Sequence, residues 1–273
     1  MTSRVLCRVS RLLDRTAATR PVLGLDTSTS IASLALIAHG TVAASVERPV
    51  TSHGAALPGT VGELLSAAGL AIGALGAIAV GTGPGSFTGL RIGLSYAKGI
   101  AMASRCALVG VPGFDAMALA ALERNNTEPG RLVCVVMDAR KGEVYAALYR
   151  VVADGLEKLS EELVVALKDL TSRITGDVLF VGDQRAKEAA ALVESRGHRA
   201  ALAEAETLDL RGVCVAAIGG ARFARGETDR AASLEPLYIR TPEATFKPAK
   251  KNPADIGTEG VWSIERKNSF GSI

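Results

Sequence analysis

The chain has 273 residues, of which 48% are hydrophobic and 22% charged, a composition typical of globular proteins. Only 4% of the residues are aromatic, so we expect a core of Ala, Val, Leu and Ile. No apolar run reaches the roughly 18 residues of a membrane-spanning helix, which argues against a membrane protein and predicts a soluble one.

The positive charge is concentrated at the N-terminus. Residues 1–20 contain five arginines and one acidic residue, a net charge of +4, whereas residues 21–273 contain 26 basic and 27 acidic residues. The body of the chain is therefore close to neutral and lacks the broad basic surface that phosphate binding needs. We expect any contact with nucleic acid to be made by another subunit.

Both ends of the chain are predicted to lie outside the folded body. Within residues 1–20, four arginines would share one helix face, as in an organelle transit peptide: Arg4, Arg8, Arg11 and Arg15. We favour instead an unstructured extension from an upstream start codon. Residues 241–273 contain scattered Pro, Lys, Asn and Gly without a period and predict a disordered tail.

The first predicted elements alternate between strands and helices. Three strands of a meander come first, and a helix, a strand, a helix, a strand and a helix follow. Their bounds are 22–26, 31–38, 41–47, 57–68, 77–81, 88–103, 106–111 and 113–123. This order is that of the ribonuclease-H-like fold.

The second half of the chain repeats this order in shorter form. Its strands are predicted at 132–137, 143–151 and 178–182, and its helices at 166–173, 184–196 and 210–225. We therefore predict an α/β protein of the two-lobed actin-like ATPase (ASKHA) class, with lobes at 21–125 and 126–240 and the second lobe degenerate. We expect the last helix to pack back on the first lobe.

A polar turn, Asp26-Thr27-Ser28, follows the first buried strand. Ligands of open α/β sheets gather at the carboxyl ends of strands. In an actin-like ATPase, an aspartate here would hold hydrated magnesium, and the hydroxyls would meet phosphate. The alternative is a plain turn in which Asp26 and Ser28 satisfy backbone donors. Asp26, Thr27 and Ser28 are our candidates for a vestigial cofactor site.

A glycine-rich turn at 81–93 joins a strand to a helix, which is where anion sites form. It is not a Walker loop, because no Lys followed by Ser or Thr comes after the glycines, and it does not fit G-x-G-x-x-G. We expect Thr88 to cap the following helix. Along that helix Gly89, Gly93 and Ala97 form a strip of small residues that packs closely against another helix, either inside the chain or across an interface.

Metal ligands and nucleophiles are not evident in the sequence. No two of the three histidines (His39, His53 and His198) have helical metal-ligand spacing, and the four cysteines are scattered. No Ser or Cys stands in a nucleophile context. We therefore predict no catalytic residue, no metal site and no disulfide framework, and this cysteine usage fits a reducing cytoplasm.

Four segments together resemble the TsaB family. The glycine-rich turn, with the sequence GPGSFTGLRIG at 83–93, is similar to the signature segment of that family. The opening strand LDTS at 25–28, the strand pair DARKGEVY at 138–145 and the closing segment PLYIR at 236–240 resemble its further motifs. The resemblance covers about residues 21–240.

The resemblance implies a two-lobed actin-like fold with a degenerate nucleotide cleft. The family's catalytic paralogue, TsaD, transfers a threonylcarbamoyl group to adenosine 37 of tRNAs that read codons starting with A. TsaD carries a histidine pair on its first long helix, which this chain lacks between Leu57 and Ala68. Its ATP-binding loops are reduced here to 138–142 and 182–184. The resemblance thus implies a non-catalytic subunit without a cofactor of its own, with ATP and metal in TsaD.

The resemblance also implies partners, namely TsaD and the small ATPase TsaE. In the family, two helices pair with TsaD, and the free protein forms a homodimer through the same surface. Carried over, the interface falls on Leu57, Val61, Leu64, Gly89, Leu90, Gly93, Leu94 and Ala97. We expect tRNA to be contacted only through the complex, and no membrane to be contacted. The alternatives are an actin-like kinase or threonylcarbamoyl transferase acting alone, and a metallopeptidase, for which ligands are lacking.

Overall fold

The computed structural model describes residues 5–49, 56–125 and 127–239. The disordered tail that we predict at 241–273 lies outside these residues, as does His53. The described residues belong to one compact unit that spans residues 1–240.

The first sheet has five strands in the spatial order β4-β3-β2-β5-β6. β2 pairs antiparallel with β3, and β3 with β4, whereas β2, β5 and β6 run parallel. This is the sheet of the ribonuclease-H-like fold that the element order predicts. The strands are β2 (Val22–Asp26), β3 (Ile31–Ala38), β4 (Thr41–Pro49), β5 (Ala77–Gly81) and β6 (Ala107–Val111).

Helices cover both faces of the first sheet. On one face lie α2 (Ala56–Ala67) and α3 (Phe87–Ser104), whose leucines pack on the leucines and valines of the strands. On the other face lies α7 (Arg211–Ala224). A Cβ on Gly24 of β2 would collide with the α7 backbone, so this glycine lets the helix approach the sheet closely.

The second sheet repeats the order of the first as β9-β8-β7-β11-β12, with β1 added beside β9 and β10 beside β8. Its outer face is covered by α5 (Leu167–Ser172) and α6 (Gln184–Glu194). The repeat confirms the predicted α/β, two-lobed actin-like fold, although the second sheet has seven strands and the first has five. The strands are β1 (Val5–Cys7), β7 (Leu132–Asp138), β8 (Glu143–Val152), β9 (Gly155–Lys158), β10 (Leu163–Ala166), β11 (Val178–Gly182) and β12 (Ala200–Leu202).

A shared core lies between the two sheets. It contains α4 (Gly113–Arg124) and α7 together with the inner faces of both sheets. The boundary that we predict between residues 125 and 126 therefore separates two topological repeats that share one hydrophobic core. Among the helices that the structure describes, none combines the length and the apolar character needed to cross a membrane.

The N-terminal segment differs from our expectation. We expected residues 1–20 to be unstructured, yet β1 pairs with β9, and α1 (Val9–Thr16) packs on α7. Leu6, Leu12 and Thr16 are buried by these contacts. A strand of three residues is too short to show the alternating hydrophobic pattern that predicts a strand. Its partner β9 also lies about 150 positions away in the sequence. For the described residues from Val5 onward, the expectation of an unstructured leader is wrong.

Candidate functional site

A cleft of about 810 Å³ opens where the strand ends of the two sheets face each other. Its first wall comes from the turn after β2 and from the start of α3, and its second wall from the turns after β7 and β11. This is the place where open α/β sheets bind ligands. The lining includes Ser28, Thr29, Ser86, Thr88, Asp138, Arg140, Asp183 and Arg211.

Asp26, the first candidate residue, is fully buried at the end of β2. Its Oδ1 accepts hydrogen bonds from the backbone N–H of Ser28 at 3.0 Å and from the Ser28 hydroxyl at 2.8 Å. The same oxygen accepts a charge-assisted hydrogen bond from Nε of Arg211 at 3.3 Å. The carboxylate is therefore held by its own turn and by a buried guanidinium.

Arg211 is the first residue of α7 and is only 2% exposed. Its Nη2 donates to the Thr29 hydroxyl at 2.9 Å and to the Ile31 carbonyl at 2.7 Å. The guanidinium thus supplies, from within the chain, the positive charge that neutralises Asp26. The other carboxylate oxygen of Asp26 faces Gly81, where even a Cβ would collide with it. That oxygen is buried and has no hydrogen-bond partner in the described part of the chain. Because the buried Arg211 guanidinium already pairs with this carboxylate, the site does not fit the metal-bound nucleotide of actin-like ATPases.

A polar group beside this ion pair adds to the packing of α7. The Ser33 hydroxyl accepts a hydrogen bond from the backbone N–H of Gly212 at 2.8 Å. It also lies 3.2 Å from Oε1 of Glu47. Burial raises the pKa of the Glu47 carboxyl, and the neighbouring Asp209 carboxylate raises it further. These contacts fix the start of α7 against β3 and β4.

The second wall of the cleft has aspartates that also have partners within the chain. Asp183 caps α6, accepting from the backbone N–H of Arg185 at 2.9 Å, and its second oxygen accepts from the backbone N–H of Asp138 at 2.8 Å. The Asp138 carboxylate pairs with the Arg185 guanidinium at 3.2 Å. The reduced loops thus bind one another.

The small-residue strip of α3 packs inside the chain. The Thr27 hydroxyl donates to the Gly89 carbonyl at 2.8 Å, and a Cβ on Gly93 would collide with the same hydroxyl. Ala97 is fully buried in the core beneath α2 and α3. Of the two alternatives that spacing left open, the structure therefore shows packing within the chain.

Our assignment of interface residues needs a correction for the same reason. Buried within the chain's own fold are Leu57, Val61, Leu64, Gly89, Leu90, Gly93, Leu94 and Ala97. A residue already covered by the rest of its own chain has no surface left for a partner. The amphipathic spacing identified the core faces of α2 and α3 rather than their outer faces.

The outer faces of the two helices are open and lined by small residues. Cβ atoms placed on Gly59 and Gly62 of α2, or on Gly99 of α3, would meet no atom within 4 Å. Met102, near the end of α3, is 73% exposed. These positions and the exposed Ser66 and Ser95 define what we call the outer helix face.

The glycine-rich turn leads into α3, and side-chain contacts fix the start of that helix. Ser86, and not Thr88 as we expected, is the N-cap of α3, since its hydroxyl accepts from the backbone N–H of Gly89 at 3.2 Å. Just beyond it, the Arg91 guanidinium stacks on the Phe87 ring at 3.9 Å. Its Nε donates to the Tyr238 hydroxyl at 2.9 Å, so the closing segment is tied to α3.

A second buried ionic group joins α4 to the second sheet. The Lys158 ammonium lies 3.0 Å from Asp115 of α4 and 2.8 Å from Glu162. The Tyr149 hydroxyl donates to the same Asp115 at 2.8 Å. Burial raises the pKa of Tyr149 well above its usual value, and the Asp115 carboxylate raises it further. In the described part of the chain, no three His, Cys, Asp or Glu side chains are grouped as a metal site would require.

Comparison with known proteins identifies the family. A family model described as TsaD, tRNA N6-adenosine threonylcarbamoyltransferase, matches residues 47–246. The tRNA threonylcarbamoyladenosine biosynthesis protein TsaB of Escherichia coli K12 is 31% identical over 80% of this chain and 94% of its own length. The chain belongs to the TsaB family. TsaB of Bacillus subtilis 168 is 28% identical over 83% of this chain and 96% of its own length.

A solved structure agrees with the assignment to the TsaB family. YeaZ from Pseudomonas aeruginosa superposes with a TM-score of 0.64 at 27% identity, covering 80% of this chain and 100% of that one. A second structure from the same organism, described as similar to peptidase YEAZ, gives a TM-score of 0.63 at 28% identity. The chain is thus a TsaB family member by sequence and by fold, in a family named for tRNA threonylcarbamoyladenosine biosynthesis.

Sequence reasoning missed Arg211 and Lys158. Arg211 opens a helix that is otherwise apolar for most of its length, at the end where a positive charge is disfavoured by the helix dipole. A cation in that position signals a buried carboxylate partner, and this signal was available. Nothing in the sequence around Lys158 pointed to a buried partner, because the residue stands at the end of a strand of only four residues.

Proposed function

We propose that this TsaB family member is a non-catalytic partner subunit. It supports threonylcarbamoyl transfer to adenosine 37 of tRNA by binding TsaD, with TsaE as the further component. The observation that carries the proposal is the buried ion pair between Asp26 and Arg211, in which the chain itself supplies the positive charge at the end of β2. Nucleotide, metal and tRNA are then bound in the complex by its partners. The chain works in the cytoplasm, where its four free cysteines stay reduced.

The partner surface is the outer helix face of α2 and α3. Its small residues allow another helix to approach to about 8–10 Å between axes. Met102, which is exposed near the end of α3, offers an apolar contact at the edge of this surface. The same face pairs two copies of the chain when TsaD is absent, so TsaD and the second copy compete for it.

Two substitutions test this surface without disturbing the fold. Gly62→Arg and Gly99→Arg each place a long side chain in open space on the outer helix face. We expect each variant to keep or raise its melting temperature, because glycine is a poor helix former, and to lose at least about tenfold in TsaD affinity. Isothermal titration of purified TsaD into each variant measures this loss.

The matched control is Ala191→Arg, on the exposed side of α6 in the second half. It adds the same charge and size to a helix outside the proposed surface, and we expect unchanged TsaD affinity. If Gly62→Arg and Gly99→Arg bind TsaD as tightly as the control does, the outer helix face is not the interface.

Nucleotide titration separates this proposal from an enzyme acting alone. We expect the purified chain to show no heat of binding with magnesium and ATP, and no threonylcarbamoyl transfer without TsaD. Saturable binding of magnesium–ATP by the chain alone would instead support the alternative of an actin-like kinase or transferase.

A further inference from the structure

We propose that residues 5–20 form a permanent intramolecular brace, which joins the two sheets and holds the cleft at one width. Actin-like folds ordinarily close around ligands by rotation of their lobes, a movement that needs a hinge between the halves. In this chain the N-terminal segment contacts both halves, and these contacts would have to break for the cleft to open or close.

The brace is anchored in the second half by strand pairing. β1 extends the second sheet next to β9, with Leu6 opposite Leu156 and Cys7 opposite Gly155. Gly155 has a φ of +154°, and a Cβ there would collide with the Leu6 carbonyl. Only glycine allows this approach, so β9 is shaped to receive the segment. The backbone N–H of Arg8 also donates to the Asp154 carbonyl at 3.2 Å.

The brace is anchored in the first half by α1. Leu12 is 6% exposed and Thr16 only 1%, and both pack toward α7, which itself lies on the first sheet. A Cβ on Gly220 of α7 would come within 2.8 Å of the Thr16 methyl group, and one on Gly40 within 3.1 Å of the Ala17 side chain. These glycines provide the space into which the segment fits.

Further contacts tie the two anchors together. The backbone N–H of Val9 donates to Oε1 of Glu123 in α4 at 3.0 Å, and Arg11 pairs with Asp154 at 2.7 Å. Leu6 and Leu12 belong to the core that lies between the sheets. Cleavage of residues 1–20, as of a transit peptide, would remove a strand and a helix from this core. The described part of the segment therefore belongs to the folded body.

Pulsed electron–electron double resonance spectroscopy on the full chain tests the brace. Spin labels at Ala43→Cys on β4 and Ala191→Cys on α6 report the distance between the two halves, in a chain with Cys7→Ala and Cys106→Ala. The labelled chain is diluted with unlabelled chain, so that distances between copies do not contribute. We expect a single narrow distance distribution in this background. Leu12→Asp buries a charge under α1 and should release the segment, which broadens the distribution and shifts its mean.

The control is Ser10→Asp, which adds the same charge on the exposed side of α1 and should leave the distribution narrow. If Leu12→Asp fails to fold by circular dichroism, Leu12→Ala provides the comparison with a smaller loss of packing. A narrow, unshifted distribution in a folded Leu12 variant would overturn the proposal. This result does not depend on TsaD, so it is separate from the test of the partner surface.

Discussion

At the residue scale, the main charged contact beside the cleft joins a carboxylate and a guanidinium that are both buried. Asp26 lies at the end of β2, and Arg211 supplies the positive charge beside it from within the chain. A fixed organic cation cannot exchange with solvent or bring a phosphate with it. The ion pair therefore serves the packing of α7 on β2.

We expect Arg211→Gln to lower the free energy of unfolding by about 3–5 kcal/mol, because it leaves Asp26 buried without its countercharge. Asp26→Asn in the same chain should recover a large part of this loss. Urea unfolding of the two single variants and the double variant measures the coupling. Strictly additive losses would show that the two side chains stabilise the fold independently.

Two glycines of α3, six positions apart, should respond in opposite directions to the same substitution. Gly93→Ala forces a Cβ into the Thr27 hydroxyl, so we expect a loss of roughly 1–3 kcal/mol of stability. Gly99→Ala places the same methyl group in open space, so we expect a gain of about 0.5–1 kcal/mol. Thermal unfolding of both variants provides the measurement, and a gain at Gly93 would contradict the packing described here.

At the element scale, the start of α3 depends on one hydroxyl. Ser86→Ala removes the acceptor for the Gly89 backbone N–H and should cost about 1 kcal/mol. Thr88 lies inside the first turn of α3, so Thr88→Ala should change stability by less than about half of that amount. Chemical denaturation of the two variants decides between them. A larger loss of stability in Thr88→Ala than in Ser86→Ala would indicate that Thr88 is the N-cap, as the sequence suggests.

Long periodic elements could be predicted from the sequence, and short ones could not. The strands and helices of the first half lie within a few residues of their expected bounds, because buried runs and helical spacing are local signals. β1, β9, β10 and β12 have three or four residues each and exist only through pairing with distant strands. The position of Asp26 was predictable from its strand. Arg211 at the start of an apolar helix signals some buried carboxylate partner, but that this partner is Asp26 could not be predicted, because the two residues lie 185 positions apart.

At the scale of the whole molecule, the buried group around Lys158 links α4 to the second sheet and should make stability fall at high pH. Burial lowers the pKa of Lys158, but the Asp115 and Glu162 carboxylates together raise it above its usual 10.5. A raised folded-state pKa means that the contribution is complete below pH 10.5 and is lost as the pH rises through the folded-state value.

Unfolding free energies measured across this alkaline range should show a drop that is smaller in Lys158→Met. The deprotonation of Tyr149 acts in the same direction and remains in that variant, since its pKa is also raised. Lys187→Met, on the exposed side of α6, is the control and should keep the full drop. An equal drop in all three proteins would show that Lys158 does not contribute.

The position of α7 in the chain has a consequence for synthesis. The first sheet is complete in sequence at Val111, but the helix that covers its inner face begins at Arg211. At ordinary translation rates of about 5–20 residues per second, roughly 5–20 s separate the two on the ribosome. During this interval the apolar side of β2, β3 and β5 has no permanent cover. A nascent chain of this protein is therefore a natural client for chaperones that bind exposed hydrophobic strands.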